Sequence, residues 1–409
     1  MSGNIPSGSN PFEFFMRSML GGQVGSLFPE GSDFRWDMVV SMANLAVVGL
    51  DNSILQANVE PTTRIKVESL FDIVDMHLDS LEMMPPLPKV DRRISLFQRT
   101  TWLQESLNRW KPLLNELLNA LTPPGGNSEE LNPFGADQAE QSSDSSPMER
   151  MMAMMQKIAA PALVASQIGW AVGELSKSAL GQLDLPIPRE TKGGIELIPE
   201  NIESFAEANL IEVDHLYIWV IVRELIHLAI INSIAVKDRL DFLIRLHIAD
   251  SHSALSSAMQ NLAQIDPTDS EAMQNFLTNP SALVAGGHSE AQKLSQNDFQ
   301  ALLALIEGIV DYQSRLLAEA IFGDFAQIEG ATKQNLLDPS NTSLTVASLL
   351  GISITAETLQ RGAAFISGVL ERDGGQKLSA LWNNPEMLPT PAEIDAPGLW
   401  LARIEYIGG

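Results

Sequence analysis

The chain has 409 residues, 45% of them hydrophobic, no cysteine, and a formal net charge of −25. Its length and apolar content suffice for a substantial core, and the missing cysteines exclude disulfides, thiolate metal sites and thiol chemistry. So acidic a balance argues against nucleic acid and anionic membrane surfaces, because phosphate binding needs clustered Lys and Arg.

The first residues, MSGNIPSGSNPFEFF, hold no basic segment leading into an apolar run, so no signal peptide is expected. Helical periodicity then dominates. TRIKVESLFDIVDMHLDSLE (63–82) sets Ile65, Leu70, Ile73, Val74, His77 and Leu81 roughly along one face. SLFQRTTWLQESLNRWKPLLNELLNAL (95–121) reads as two helices broken near Pro112. TPPGGNSEELNPFGADQAEQSSDSSP (122–147) is rich in Pro, Gly, Ser and acid and reads as a mobile linker. It divides an N-terminal helical region, 1–121, from a second helical region, 148–409, that is able to form one body with the first.

A long apolar helix follows the linker, with an expected kink at Pro161. Its Met148, Met151, Met152, Met154 and Met155 read as core filler in preference to a binding surface. The apolar stretch IAAPALVASQIGWAVGEL (158–175) contains Pro161, Ser166, Gln167 and Glu174, too polar for a transmembrane segment. The absence of cysteine, and so of disulfides, fits a cytoplasmic chain, and that is the expected location. GIELIPENI (194–202) is the best strand candidate, and helices are expected over 214–234, 236–251, 297–322 and 355–372. The fold is therefore expected to be mainly α with little β structure.

The first of those helices contains WVIVRELIHLAI (219–230), apolar all round yet carrying Arg223, Glu224 and His227 at its centre. A helix apolar on every side is normally buried, and charge there must be paired. Arg223-Glu224-Leu225-Ile226-His227 has the shape of the zinc-binding motif H-E-x-x-H with arginine in place of the first histidine. The intact motif sets two imidazoles one turn apart on zinc and a carboxylate beside the attacking water. Alone, E-x-x-H is weak. A second piece is Glu307-Gly308-Ile309-Val310-Asp311, whose two carboxylates lie one turn apart on the edge of the stripe Phe299, Leu302, Leu303, Ile306 and Val310.

At these motifs the chain resembles a family, the mainly actinobacterial zincin-like proteins regarded as hydrolases or zinc-dependent metalloproteases. NPFEFF (10–15), GQLDLPIP (181–188), LIPENIESFAEAN (197–209), LYIWVIVRELIHLAI (216–230), LTNPSALV (277–284), FQALLALIEGIVD (299–311) and LWNNPEMLPTPAEIDAP (381–397) carry the resemblance. It implies a zincin-like metallopeptidase fold with extra N-terminal helices and a cleft between the two motif helices. By gluzincin-type correspondence, Glu224 is implied as general base, His227 and Glu307 as zinc ligands, and Asp311 as a carboxylate orienting a histidine from behind the ligands. The departure is Arg223, a cation that has no lone pair for a metal.

Two ligands are left where a catalytic zinc normally has three. His215, on the same helix, is about 18 Å from His227 along the axis and cannot share an ion with it. His77 and His247 sit in amphipathic patterns, His252 ends a helix, and His288 in AGGHSEA is the one loop candidate for a substitute ligand. No P-loop, dinucleotide fingerprint or G-x-S-x-G elbow competes. The expectation is a zincin-like pseudoenzyme whose cleft takes a peptide or protein ligand, with zinc lost or weakly held and Arg223 as the replacing cation. The alternatives are an active zinc metallopeptidase with a substitute ligand, and a helical interaction protein in which the motif is accidental.

Overall fold

The segment 219–230 forms the middle of α6 (Val213–Asn232), and fifteen of this helix's twenty residues are buried. In the computed structural model, which describes residues 34–48, 58–81, 83–121, 147–183, 185–187, 194–262, 290–338, 342–382 and 384–408, α6 is the central rod. Its Val, Ile and Leu side chains leave water on all sides, each such burial contributing about 1.5–3 kcal/mol. Glu212 opens the helix by accepting the amide of His215, which satisfies one of the free N-terminal donors.

Around α6 pack α2 (Pro61–Leu78), α5 (Pro199–Asn209), α7 (Ile234–Leu262), α8 (Glu290–Ile321) and the strand β2 (Ile195–Leu197). β2 pairs in parallel with β1 (Ile94–Leu96), Ile94 opposite Ile195 and Leu96 opposite Leu197. Strand is confined to this small sheet among the described residues. The expected strand within 194–202 is thus three residues long, and Pro199 at the first turn starts α5 directly after it.

The helices on the N-terminal side of the linker pack onto those that follow it. α1 (Phe34–Val48) and α3 (Arg99–Ala120) lie against α4 (Pro147–Ser178), and α3 also touches α7. Residues from Trp36 to Ile404 belong to one hydrophobic cluster. The outer part of the chain consists of α9 (Ala326–Leu337), α10 (Thr342–Leu349), α11 (Ala356–Asp373), α12 (Pro391–Asp395) and α13 (Pro397–Gly408).

Several sequence expectations change here. α3 runs unbroken through Pro112. Proline removes a single N–H, and the carbonyl freed four residues back belongs to Asn108, which is exposed to water. The buried Leu107, Trp110, Leu114 and Leu117 hold the helix on both sides of it. Pro161 likewise falls inside α4. On α2 the buried face is Val67, Phe71, Val74 and Leu78, with Ile65 exposed, so the true stripe is offset from the one read off the sequence. The block 10–15, the segment 122–146, the block 277–284 and His288 lie outside the described residues, as do the side chains of the methionine cluster and of His252. Among the described residues no single helix is long and apolar enough to cross a membrane.

Candidate functional site

Glu224 lies 2% exposed on α6 and turns toward the chain just after α4. The backbone amide of Gln182 donates to it at 3.1 Å and that of Leu183 at 3.0 Å. Gly181 permits this approach, since a Cβ there would overlap the Glu224 carboxyl group. The cradle is itself braced. Trp102 donates its indole N–H to the Gly181 carbonyl at 3.1 Å, Gly181 bridges to Leu197, and the Gln182 side-chain amide reaches the Gly194 carbonyl at 3.0 Å. Arg109 then ties Gln182 to Glu196 on β2.

Glu307, 3% exposed on α8, faces α6 across the helix interface. Arg223 donates from Nη2 to its Oε2 at 3.2 Å, and His227 Nε2 meets its Oε1 at 3.1 Å. Burial alone would raise the Glu307 pKa, but the facing His227 and the Arg223 guanidinium outweigh that and hold it below the usual carboxylate range. The other His227 nitrogen, Nδ1, lies 3.1 Å from the Arg223 carbonyl one turn back. The sequence put Glu307 on the edge of a stripe. In the structure 301–310 is buried on every side, because α6 covers one face of α8 and α11 another.

Asp311 takes a different place from the one the resemblance implies. Its Oδ2 pairs with Lys333 of α9 at 3.1 Å and with Arg315 at 3.3 Å. Both described ring contacts of His227 go elsewhere, to Glu307 and Arg223, so Asp311 does not orient that histidine. Glu329 completes an ion-pair group with Lys333 and Arg315, and those two cations hold it below the carboxylate range against its own burial.

These residues surround one cavity of about 90 Å³. Arg223, Glu224, His227, Glu307 and Asp311 line it, so the structure brings all five sequence candidates together. Leu180, Leu336 and Leu359 give it apolar walls, and Trp219 lies at its side with the Arg223 guanidinium 6.0 Å from the ring centre. Sequence reasoning missed Lys333, Trp219 and the 181–183 amides. The block GQLDLPIP marked the amides, but a backbone donor leaves no residue signature. Lys333 is visible only as Glu329-x-x-x-Lys333 on a helix, a common surface pattern.

The remaining described histidines stay away from the site. His215 stacks on Phe322 at 4.6 Å, His77 Nδ1 lies 2.8 Å from the Ile73 carbonyl, and His247 packs against Gly351.

A mainly helical protein with an arginine-modified E-x-x-H helix set against an E-x-x-x-D helix belongs to the zincin-like class. The zincin-like metallopeptidase family model matches residues 35–401, nearly the whole described chain, and the protein belongs to that family. No curated protein matches the chain. A solved structure from Chloroflexus aurantiacus, described as "a putative hydrolase with a novel fold", shares the fold. Its TM-score is 0.52 at 20% identity, over 90% of this chain and 98% of that one.

The family implies zinc, and the donor set here does not fit it. His227 Nε2 and Glu307 Oε1 lie within hydrogen-bond distance of each other, the Glu224 oxygens are engaged by two backbone amides, and the first-ligand position carries a guanidinium. No group of three His, Asp or Glu side chains converges on a common point among the described residues. A catalytic zinc site needs three such donors and an open position.

Proposed function

We propose that this protein is a zincin-fold pseudoenzyme, residing in the cytoplasm, whose cleft binds a peptide or protein segment without a resident zinc ion. The contact between Arg223 and Glu307 carries the reading. A fixed cation fills the electrostatic role that a metal has in the parent architecture, and it does so from the position of the first ligand. Glu224, the residue that would serve as general base, is turned onto the amides of Gln182 and Leu183, an arrangement that holds a carboxylate in place. Family membership supports the cleft as the ligand site, and the acidic surface supports a protein ligand over nucleic acid.

Calorimetric titration with zinc tests the proposal. The native chain is expected to show no tight one-to-one site. Arg223→His is expected to gain one, since two imidazoles would then stand one turn apart with Glu307 opposite, and to lose it again when His227→Ala is added. A native one-to-one site of submicromolar affinity that vanishes in His227→Ala would overturn the zinc-free reading and favour a zinc metallopeptidase with a substitute ligand.

A further inference from the structure

The Arg223 guanidinium donates from Nη2 to Glu307 Oε2 at 3.2 Å, while the other Glu307 oxygen faces His227 at 3.1 Å. The contact is therefore single. A guanidinium is a planar fork that grips a carboxylate best with two parallel N–H groups, and that capacity is unused here. Among the described residues, Nε and Nη1 of Arg223 have no hydrogen-bond partner, yet neither is an enclosed atom, so both are open to solvent. The side chain is 21% exposed and lines the cavity beside Trp219.

A second cation faces the same cavity. Lys333 of α9 is 34% exposed, and its ammonium meets Asp311 at 3.1 Å and Glu329 at 2.7 Å. Those two contacts leave it one N–H group over. The acidic groups of the cavity are already engaged. Glu224 lies on the 182 and 183 amides, Glu307 between Arg223 and His227, and Asp311 between Lys333 and Arg315. What the charged groups have left to offer a ligand is N–H donors on two cations, beside the apolar walls of Leu180, Leu336 and Leu359.

An oxyanion answers that pattern. The carboxylates in the walls and the net charge of −25 oppose a multiply charged ligand, which favours a planar carboxylate over a phosphate. In a peptide the C-terminal carboxylate sits one carbon from the last side chain, so it can meet the donors while that side chain meets the leucines. An Asp or Glu carboxylate has no apolar group beside it. A volume of about 90 Å³ is a handful of water-sized sites at roughly 10–15 Å³ each, enough for a carboxylate and part of an apolar side chain. We infer that the cavity takes the free C-terminus of a peptide ending in an apolar residue, with Arg223 gripping the carboxylate by its open edge and Lys333 adding a second contact. This rests on the peptide-cleft reading and gives it a chemical specificity.

Three probes titrated into the full chain test it: acetyl-leucyl-leucine as the free acid, its C-terminal amide, and acetyl-leucyl-glutamate α-amide, which moves the carboxylate to a side chain. The free acid should bind roughly tenfold more tightly than either of the others, the scale of a hydrogen bond to a charged group. Arg223→Lys keeps a positive charge beside Glu307 but removes the fork. It should bring the affinities of acid and amide close together while leaving the amide unchanged. Lys333→Gln, on a half-exposed helix, should lower the acid-to-amide ratio about threefold. Equal binding of acid and amide by the native chain overturns the carboxylate site and leaves the peptide cleft standing. A glutamate probe as tight as the free acid overturns the C-terminal assignment. An unchanged ratio in Arg223→Lys overturns the role of the fork; if that variant does not fold, an unchanged ratio in Lys333→Gln overturns the site. Absence of saturable binding by all three probes at millimolar concentration overturns the site and the peptide cleft together.

Discussion

A guanidinium and a zinc ion satisfy a buried carboxylate in different ways. Zinc gathers several donors around one point, whereas Arg223 donates directionally and leaves each neighbour to find its own partner. Glu307 therefore divides its oxygens between Arg223 and His227, and Glu224 goes to the 181–183 amides. With Glu307 4% and Arg223 21% exposed, the pair is shielded enough for its loss to matter. Arg223→Ala should cost about 3–5 kcal/mol in denaturant unfolding, because it strands an enclosed charge. Adding Glu307→Ala should recover part of that loss, and a double-mutant cycle with no coupling would show that the contact contributes nothing. This pair was legible in the sequence because a charge in an apolar helix demands compensation. The partners of Glu224 were not, since any residue type carries a backbone amide.

At the scale of elements, what positions Glu307 is how closely α11 presses on α8. A Cβ on Gly308 would come within 2.6 Å of the Gly362 backbone, so the residue after Glu307 is small for packing reasons. Gly362→Ala should push the helices apart and destabilise by about 1–3 kcal/mol, despite the better helix propensity of alanine. Thermal unfolding would settle the sign, and a rise in Tm would mean that the crossing has slack. The block 381–397, visible in the sequence only as a resemblance, proves to be a clamp. Thr390 and Glu393 form a capping box, and Arg403 of α13 grips Glu393 with two nitrogens at 2.6 and 3.0 Å. Burial would raise the Glu393 pKa, but Arg403 and the Thr390 amide lower it below the ordinary value. A depressed folded pKa means that the clamp's contribution is complete above the unfolded value of about 4.3 and is lost as pH falls through the folded one. Glu393→Gln should thus cost roughly 2 kcal/mol at neutral pH. The gap between it and the native chain should narrow in acid; a gap constant from pH 7 to pH 3 would deny that the charge matters. Helix positions were readable from apolar spacing, while the unbroken α3 and α4 were not, because packing on both sides of a proline overrides its local preference.

Over the whole molecule, 51 acidic residues face 26 basic ones, and this sets two salt effects against each other. Screening weakens surface ion pairs such as Lys66–Asp214, which are worth little to begin with. It also relieves the mutual repulsion of an excess charge of −25, which acts across the whole surface when the Debye length is about 30 Å at 0.01 M salt and far less when it is about 8 Å at 0.15 M. The pairs that matter most to the site, Arg223–Glu307 and Arg109–Glu196, lie mostly inside and are screened less. Relief of repulsion should therefore win. Tm should rise by a few degrees between low salt and 0.15 M sodium chloride and then level off. Arg223→Gln should start from a lower Tm yet show nearly the same rise, since its lost contact is local and the repulsion is not. A Tm that falls over this range in the native chain would place the dominant electrostatics in exposed pairs. A rise that disappears in Arg223→Gln would instead make the site itself the salt-sensitive element.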